Sequence, residues 1–190
     1  MFLPAAGNLP HWRAICAQWL AEFERFCQVT EYQDAPHEHL ERANAGILAI
    51  AAAKCGHGVL PEPYINRGGA GGYLDLCILN IHTGVMELVE CKWVDSVGRA
   101  IVSAAQAEMA LACTQVASVV GPPTPPMGKF LSLTKIGVVF ACPRFPPDTN
   151  SDQVTADVQT IVSTFQASQF FDAMAWFFPD VPAIKQLLES

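Results

Sequence analysis

The segment Tyr73–Trp93, YLDLCILNIHTGVMELVECKW, restricts this chain more than any other part of it. Two apolar, strand-like runs flank the turn-forming stretch Asn80-Ile81-His82-Thr83-Gly84, in which Gly84 is free to take a positive φ. The expectation is an antiparallel hairpin of Tyr73–Ile81 and Val85–Trp93. Charge interrupts the apolar pattern: Asp75 stands on the first run and Glu90-Cys91-Lys92 on the second. An unpaired ion on a buried strand is so unfavourable that it shifts its pKa or finds a partner.

Residues at similar distances from a hairpin loop face one another, which sets Asp75 near Glu90 and Lys92. Glu90 and Lys92 lie two apart and share a face with Leu88, while Val89, Cys91 and Trp93 take the other. Two converging carboxylates make a hard, oxygen-rich site suited to Mg²⁺ or Mn²⁺, with the Cys91 carbonyl between them as a third oxygen. Lys92 beside them would orient or help deprotonate a water, or neutralise a phosphate. The plainer alternative is a cross-strand salt bridge on an exposed face.

Asp75 followed by Glu90-x-Lys92 at the ends of a hairpin resembles the PD-(D/E)xK, or restriction-endonuclease-like, nuclease superfamily. Its members include type II restriction enzymes, Holliday-junction resolvases and several recombination and repair nucleases. Leu74 stands where proline is common in that superfamily. The resemblance implies an α/β fold whose core runs helix, three strands, helix, strand, here with extra N- and C-terminal helices. It implies that Asp75 and Glu90 bind the metal and that Lys92 assists the attacking water. A further acid often comes from the first core helix, where Glu41 and Glu38 in HEHLERANAGIL are the candidates, Glu41 lying on the margin of the apolar face. Gln106 is similar in position to a glutamine that many exonuclease-like members use to contact metal-bound water or DNA, although Ala110 replaces the tyrosine that often follows. The implied activity is Mg²⁺-dependent hydrolysis of phosphodiester bonds, in DNA before RNA. The alternatives are a nuclease-fold subunit without turnover, used for binding or assembly, and an interbacterial nuclease toxin.

The rest of the chain is consistent with one domain spanning 1–190, with the nuclease-like core over about 37–142. Helical spacing marks His11–Gln33, with the stripe Ile15, Trp19, Phe23 and Phe26/Cys27, and a second helix over His37–Cys55. Val59–Arg67 reads as an edge strand because of Pro61 and Pro63. Glycines 68–72 read as a flexible connector, or as a backbone cradle for phosphate. Arg99–Val119 reads as a helix, Lys135–Cys142 as an apolar central strand and Asp152–Ser168 as a helix, before the aromatic segment Phe170–Phe178 and a short terminal helix. That aromatic segment suits core packing or a homodimer interface.

The net charge of −7 opposes strong nonspecific nucleic-acid binding, yet residues 63–147 hold five acids and six bases. Arg67, Arg99 and Lys129 flank the expected cleft as phosphate-binding candidates. His37 and His39 are metal-ligand candidates that more simply read as solvent-facing residues at a helix start. Seven cysteines without a CxxC argue for a reducing, cytoplasmic compartment and against a zinc or disulfide frame. The apolar runs, of which Ala45–Ala53 is the longest, are too short to cross a membrane.

Overall fold

The computed structural model describes residues 2–3, 9–31, 36, 39–121, 132–167 and 174–175. The chain is mixed α/β. Its central hairpin joins β5 (Leu76–Asn80) to β6 (Val85–Val97) in antiparallel register, Leu76 opposite Val89 and Asn80 opposite Val85. The turn forms for the reason its composition suggests. The Asn80 Oδ1 accepts the backbone N–H groups of His82 and Thr83, and Gly84 closes the turn at φ 70°.

Before this hairpin come β1 (Phe2–Leu3), α1 (Trp12–Val29), α2 (Leu40–Lys54), β2 (Gly58–Pro61), β3 (Tyr64–Arg67) and β4 (Ala70–Tyr73). After it come α3 (Ile101–Ala117), β7 (Ser132–Arg144), α4 (Ser151–Ala167) and β8 (Met174–Ala175). The main sheet has the order β2-β5-β6-β7, antiparallel except for the parallel pair β6–β7, which α3 connects. Small pairs β1–β8 and β3–β4 complete the strands.

Side-chain alternation sorts the core into two layers. Leu76, Ile78, Val89, Cys91 and Ile136 pack against Trp12 and Ile15 of α1 and Ala45, Leu48, Ala51 and Ala52 of α2. The opposite face carries Leu74, Cys77, Met86 and Leu88 against Ile65, Val116 and Val119. Full burial of a side chain such as Ile78 or Leu88 contributes about 1.5–3 kcal/mol. α3 approaches β7 closely at Gly137, where an added Cβ would lie 3.0 Å from the Cys113 Sγ and 3.2 Å from the Ala112 Cβ.

Several expectations change. The run Val59–Arg67 is two strands in different sheets, because Glu62 takes φ 47° between Pro61 and Pro63 and turns the chain out. The glycine connector is a hairpin: Gly68 and Gly69, both at positive φ, form the turn, and Gly71 and Gly72 belong to β4. Tyr73 accordingly belongs to β4, and β5 begins only at Leu76. The apolar strand expected in the centre of the sheet, Lys135–Cys142, lies within β7 at its edge. Its apolar character reflects helices on both faces: α3 on one, and α1 on the other, where Trp19 stacks on Phe140 with centroids 6.0 Å apart. In α1 the stripe uses buried Cys27, whereas Phe26 is exposed.

Gly98–Ala117, a 3-10 turn running into α3, is long and apolar enough by length and composition to cross a membrane. Here it is the crossover segment packed on β6 and β7, its apolarity coming from many small residues rather than one long aliphatic run. The candidates Glu38, His37 and Lys129, the terminal helix and most of the aromatic segment lie outside the described residues.

Candidate functional site

The β5–β6 ladder stops at Leu76–Val89, whereas β6 continues to Val97 along β7. From Glu90 onward one edge of β6 is therefore no longer covered by β5. Asp75, directly before β5, fills the first gap: its Oδ2 accepts the Cys91 backbone N–H at 2.7 Å. A carboxylate thus stands where the next strand residue would have supplied a carbonyl.

Charged groups from three other segments converge on this open edge. Glu90 is buried, 6% exposed, and occupies the register position beside Gly137. Its Oε2 accepts from the Arg67 guanidinium at 2.8 Å, and its Oε1 lies 3.4 Å from the Lys92 Nζ. Lys92 also donates to the Cys91 carbonyl at 2.7 Å and lies 3.5 Å from Glu41 in the first turn of α2. Arg67, at the end of β3, further donates to the carbonyls of Gln115 and Tyr73, each at 3.1 Å. The small β3–β4 hairpin is thereby tied to α3 and to the carboxylates at once.

The electrostatics follow from this crowding. Burial pushes the Glu41 carboxyl above its ordinary value, Lys92 pulls it down, and Asp75 and Glu90 push it up again. Asp75 is raised by burial first, against the Cys91 N–H, with Glu90 raising it further. Three carboxylates thus share one field with two cations, a balance with spare negative charge.

Asp75, Glu90, Cys91, Lys92, Glu41 and Arg67 are brought together. Gln106 lies half-buried on α3, and none of the cluster's hydrogen bonds reaches it. Arg99 sits in the 3-10 turn before α3 and pairs with Asp157 of α4 at 2.7 Å, an exposed contact away from the carboxylates. The exposed face of the plainer sequence reading is not found, since the Glu90 side chain is 7% and the Lys92 side chain 14% exposed.

The donors are chemically suited to a hard divalent ion: two or three carboxylates and the Cys91 carbonyl, all oxygen. As arranged, the cations occupy that role. Arg67 covers one oxygen of Glu90, and Lys92 covers the other together with the Cys91 carbonyl. In keeping with this, among the described residues no three His, Cys, Asp or Glu side chains are gathered around one point as metal ligands.

Sequence reasoning placed Arg67 at the cleft but missed its engagement with Glu90; the signal was the glycine-rich turn directly after it, which lets β3 fold back. It also missed a second buried acid, Glu87, on the other face of β6. Its Oε1 lies 2.5 Å from the His11 Nε2, and its Oε2 accepts from the Trp12 Nε1 at 3.1 Å. No local spacing links Glu87 to His11. No protein-family model matches the chain, and no curated protein or solved structure matches it.

Proposed function

We propose that this protein is a metal-dependent nuclease that hydrolyses phosphodiester bonds, DNA being the substrate to test first. The observation that carries the reading is the meeting of Asp75, Glu90, Lys92 and Glu41 where β5 stops covering β6. The order α2, β2, β5, β6, α3, β7, with β3 and β4 inserted after β2, supports it, since the superfamily core is expected to run helix, three strands, helix, strand.

Asp75 and Glu90, with the Cys91 carbonyl, would hold Mg²⁺ or Mn²⁺, and Glu41 would add charge from α2. The ion supplies positive charge against the negative charge that builds on a phosphodiester during attack. Lys92, held by Glu41 and Glu90 at the centre of the cluster, orients the attacking water and takes part in its deprotonation. With an ion on Glu90, Arg67 would be available to meet a phosphate, for which a guanidinium fork is well suited.

Incubating the full chain with plasmid and linear DNA in Mg²⁺, Mn²⁺ or EDTA tests this directly. Cleavage that needs the ion and disappears in Lys92→Ala supports the reading. A wild-type rate indistinguishable from the EDTA control in both metals would remove it. That second outcome favours a nuclease-fold binding or assembly subunit, for which the observation in hand is the Arg67–Glu90 ion pair together with the net charge of −7.

A further inference from the structure

We propose that Tyr64 and Tyr73, on the outer face of the β3–β4 hairpin, form a stacking platform for unpaired bases, so that the substrate is a single strand of nucleic acid. The inference rests on the nuclease reading for its choice of ligand, and it narrows the substrate class of that same site.

Alternation sorts the side chains of this hairpin. Ile65 is 1% exposed and packs in the layer of Leu74, Leu88 and Val116, whereas Tyr64 and Tyr73 pair across the strands and are 56% and 67% exposed. Their rings meet edge to face at 78°, with centroids 5.5 Å apart. Such a contact engages one face of one ring only, which leaves ring faces open to a further aromatic plane. Asn66 and Gly71 complete the outer face, which therefore carries no charged group.

Room for the platform comes from Gly71. A Cβ there would lie 1.6 Å from the Tyr64 hydroxyl oxygen and 2.5 Å from its Cζ, so glycine lets that ring lie across the strand. A cross-strand aromatic pair also steadies a small hairpin. Hairpin stability does not account for where this pair stands. Tyr73 is two residues before Asp75, at most about 7 Å along the chain. Its carbonyl accepts from Arg67 at 3.1 Å, the guanidinium that also holds Glu90. The Leu74 N–H bonds to the Pro63 carbonyl and the Glu62 N–H to the Asp75 carbonyl, each at 3.1 Å, which carries the β3–β4 pairing as far as Asp75. Platform and carboxylates are thus fixed to one another, and a base on Tyr73 sets its own or the neighbouring phosphate beside the candidate metal site.

Bases inside a duplex have both faces covered by neighbouring pairs, so a tyrosine face is met only by an unpaired base. Stacking on an aromatic ring strengthens binding roughly 5–150-fold per base and needs no positive charge, which suits a chain of net charge −7.

The test is fluorescence anisotropy of a labelled thymidine oligonucleotide, as DNA and as RNA, and of the DNA strand paired with its complement. Each is measured in EDTA and in Ca²⁺ at one fixed salt concentration. The wild type should bind the single strand more tightly than the duplex. Tyr73→Ala should weaken single-strand binding roughly 5–150-fold and leave duplex binding unchanged, and Tyr64→Ala should act in the same direction. Tyr73→Phe keeps the ring and should bind as the wild type does. Tighter binding of RNA than of DNA would make RNA the source of the bases and still support the platform. A preference for duplex, no single-strand binding in either medium, equal losses on both substrates, an unchanged single-strand affinity in either alanine variant, or a Tyr73→Phe chain as weak as Tyr73→Ala would each overturn it. Cleavage in Mg²⁺ or Mn²⁺ is read separately. A wild type that cleaves while Tyr73→Ala keeps its single-strand affinity ends the platform and leaves the nuclease; Tyr73-dependent binding without cleavage ends the nuclease and leaves the platform.

Discussion

Glu87 and Glu90 stand three positions apart on β6, both buried, and project from opposite faces of the sheet. Glu87 enters the layer under α1 and is held by a neutral indole N–H and a histidine. Glu90 enters the α3 side and is held by the Arg67 guanidinium and the Lys92 ammonium. The first arrangement is closed: its partners are fixed by the packing of Trp12, itself 5% exposed. The second is exchangeable, because Lys92 and Arg67 end long side chains at an uncovered strand edge. Burial on one strand thus gives a carboxylate held by neutral, packed partners on one face and one held by long cationic side chains on the other, and the partner chemistry makes the difference.

The largest effect should come from the closed end. Trp12→Ala removes a buried ring and leaves one oxygen of Glu87 without a donor, so we expect a loss of about 3–5 kcal/mol in urea unfolding. A loss under about 1 kcal/mol would mean that Glu87 is not held in place by Trp12.

Arg67→Ala comes next and discriminates more sharply. Removing one partner of a fully buried pair costs roughly 3–5 kcal/mol, and the partial exposure of Arg67 brings this to about 2–3. Mg²⁺ should restore part of that loss, because an ion then meets Glu90 without displacing the guanidinium, and stability should rise by about 1.4 kcal/mol per tenfold excess of ion once the site is saturated. A midpoint that drops in Arg67→Ala and does not move with Mg²⁺ or Mn²⁺ would leave Arg67 as a structural counter-ion and count against the metal site.

The fold was legible where its causes are local. The hairpin turn follows from Asn80 and Gly84, and the helices follow from apolar spacing that any 3.6-residue period must bury. What was not legible is set by neighbours distant in sequence. Whether β7 is central or at the edge is a matter of topology, since helices on both faces make an edge strand as apolar as an inner one. The β3–β4 hairpin escaped because Gly71 and Gly72 carry no side chains to alternate; a Cβ at Gly71 would collide with the Tyr64 ring that lies across it. At the candidate site, the pairing of Asp75 with the Glu90 region was readable from hairpin register, and Glu41 from its place at the start of α2. The Arg67–Glu90 and His11–Glu87 contacts were not, because no spacing rule joins residues brought together by separate layers.

A smaller effect concerns pH, and two groups at the closed end, His57 and Glu87, contribute with opposite signs. His57, held below 6.5, adds stability that is present above the unfolded value and lost as pH falls through the folded one. Glu87, raised above 4.5 by burial against the pull of His11 and Trp12, adds stability that is full below the unfolded value and lost as pH rises through the folded one. The His57 slope is at most about 1.4 kcal/mol per pH unit for one proton. His57→Gln should therefore lessen the loss of stability on acidification below pH 6.5, read from urea midpoints; an unaltered profile would show that His57 does not titrate differently in the two states.

Lys92→Ala should have the smallest effect on stability, about 1 kcal/mol, because Arg67 still pairs with Glu90 and Glu41, one third exposed, is open to water. If the nuclease reading holds, the same variant loses about 10²–10⁴-fold in cleavage rate. An unfolded Lys92→Ala chain would instead make Lys92 the counter-ion that permits the carboxylates to be buried.

The parallel pairing of β6 with β7 carries a consequence for the order of assembly. Leu76 meets Val89 across a short turn, but Val85 meets Ser132 only after the whole of α3 has been traversed. Closing the longer loop costs more chain entropy before any contact repays it, so the antiparallel hairpin should form before β7 docks. Glu90 and Lys92 would then be brought opposite Asp75 while one side of β6 still faces water, and their charges would be desolvated last. Pulse-labelled hydrogen exchange during refolding should find the amides bonded between β5 and β6 protected ahead of those of Ile136–Phe140, and simultaneous protection would mean that hairpin and crossover form in a single step.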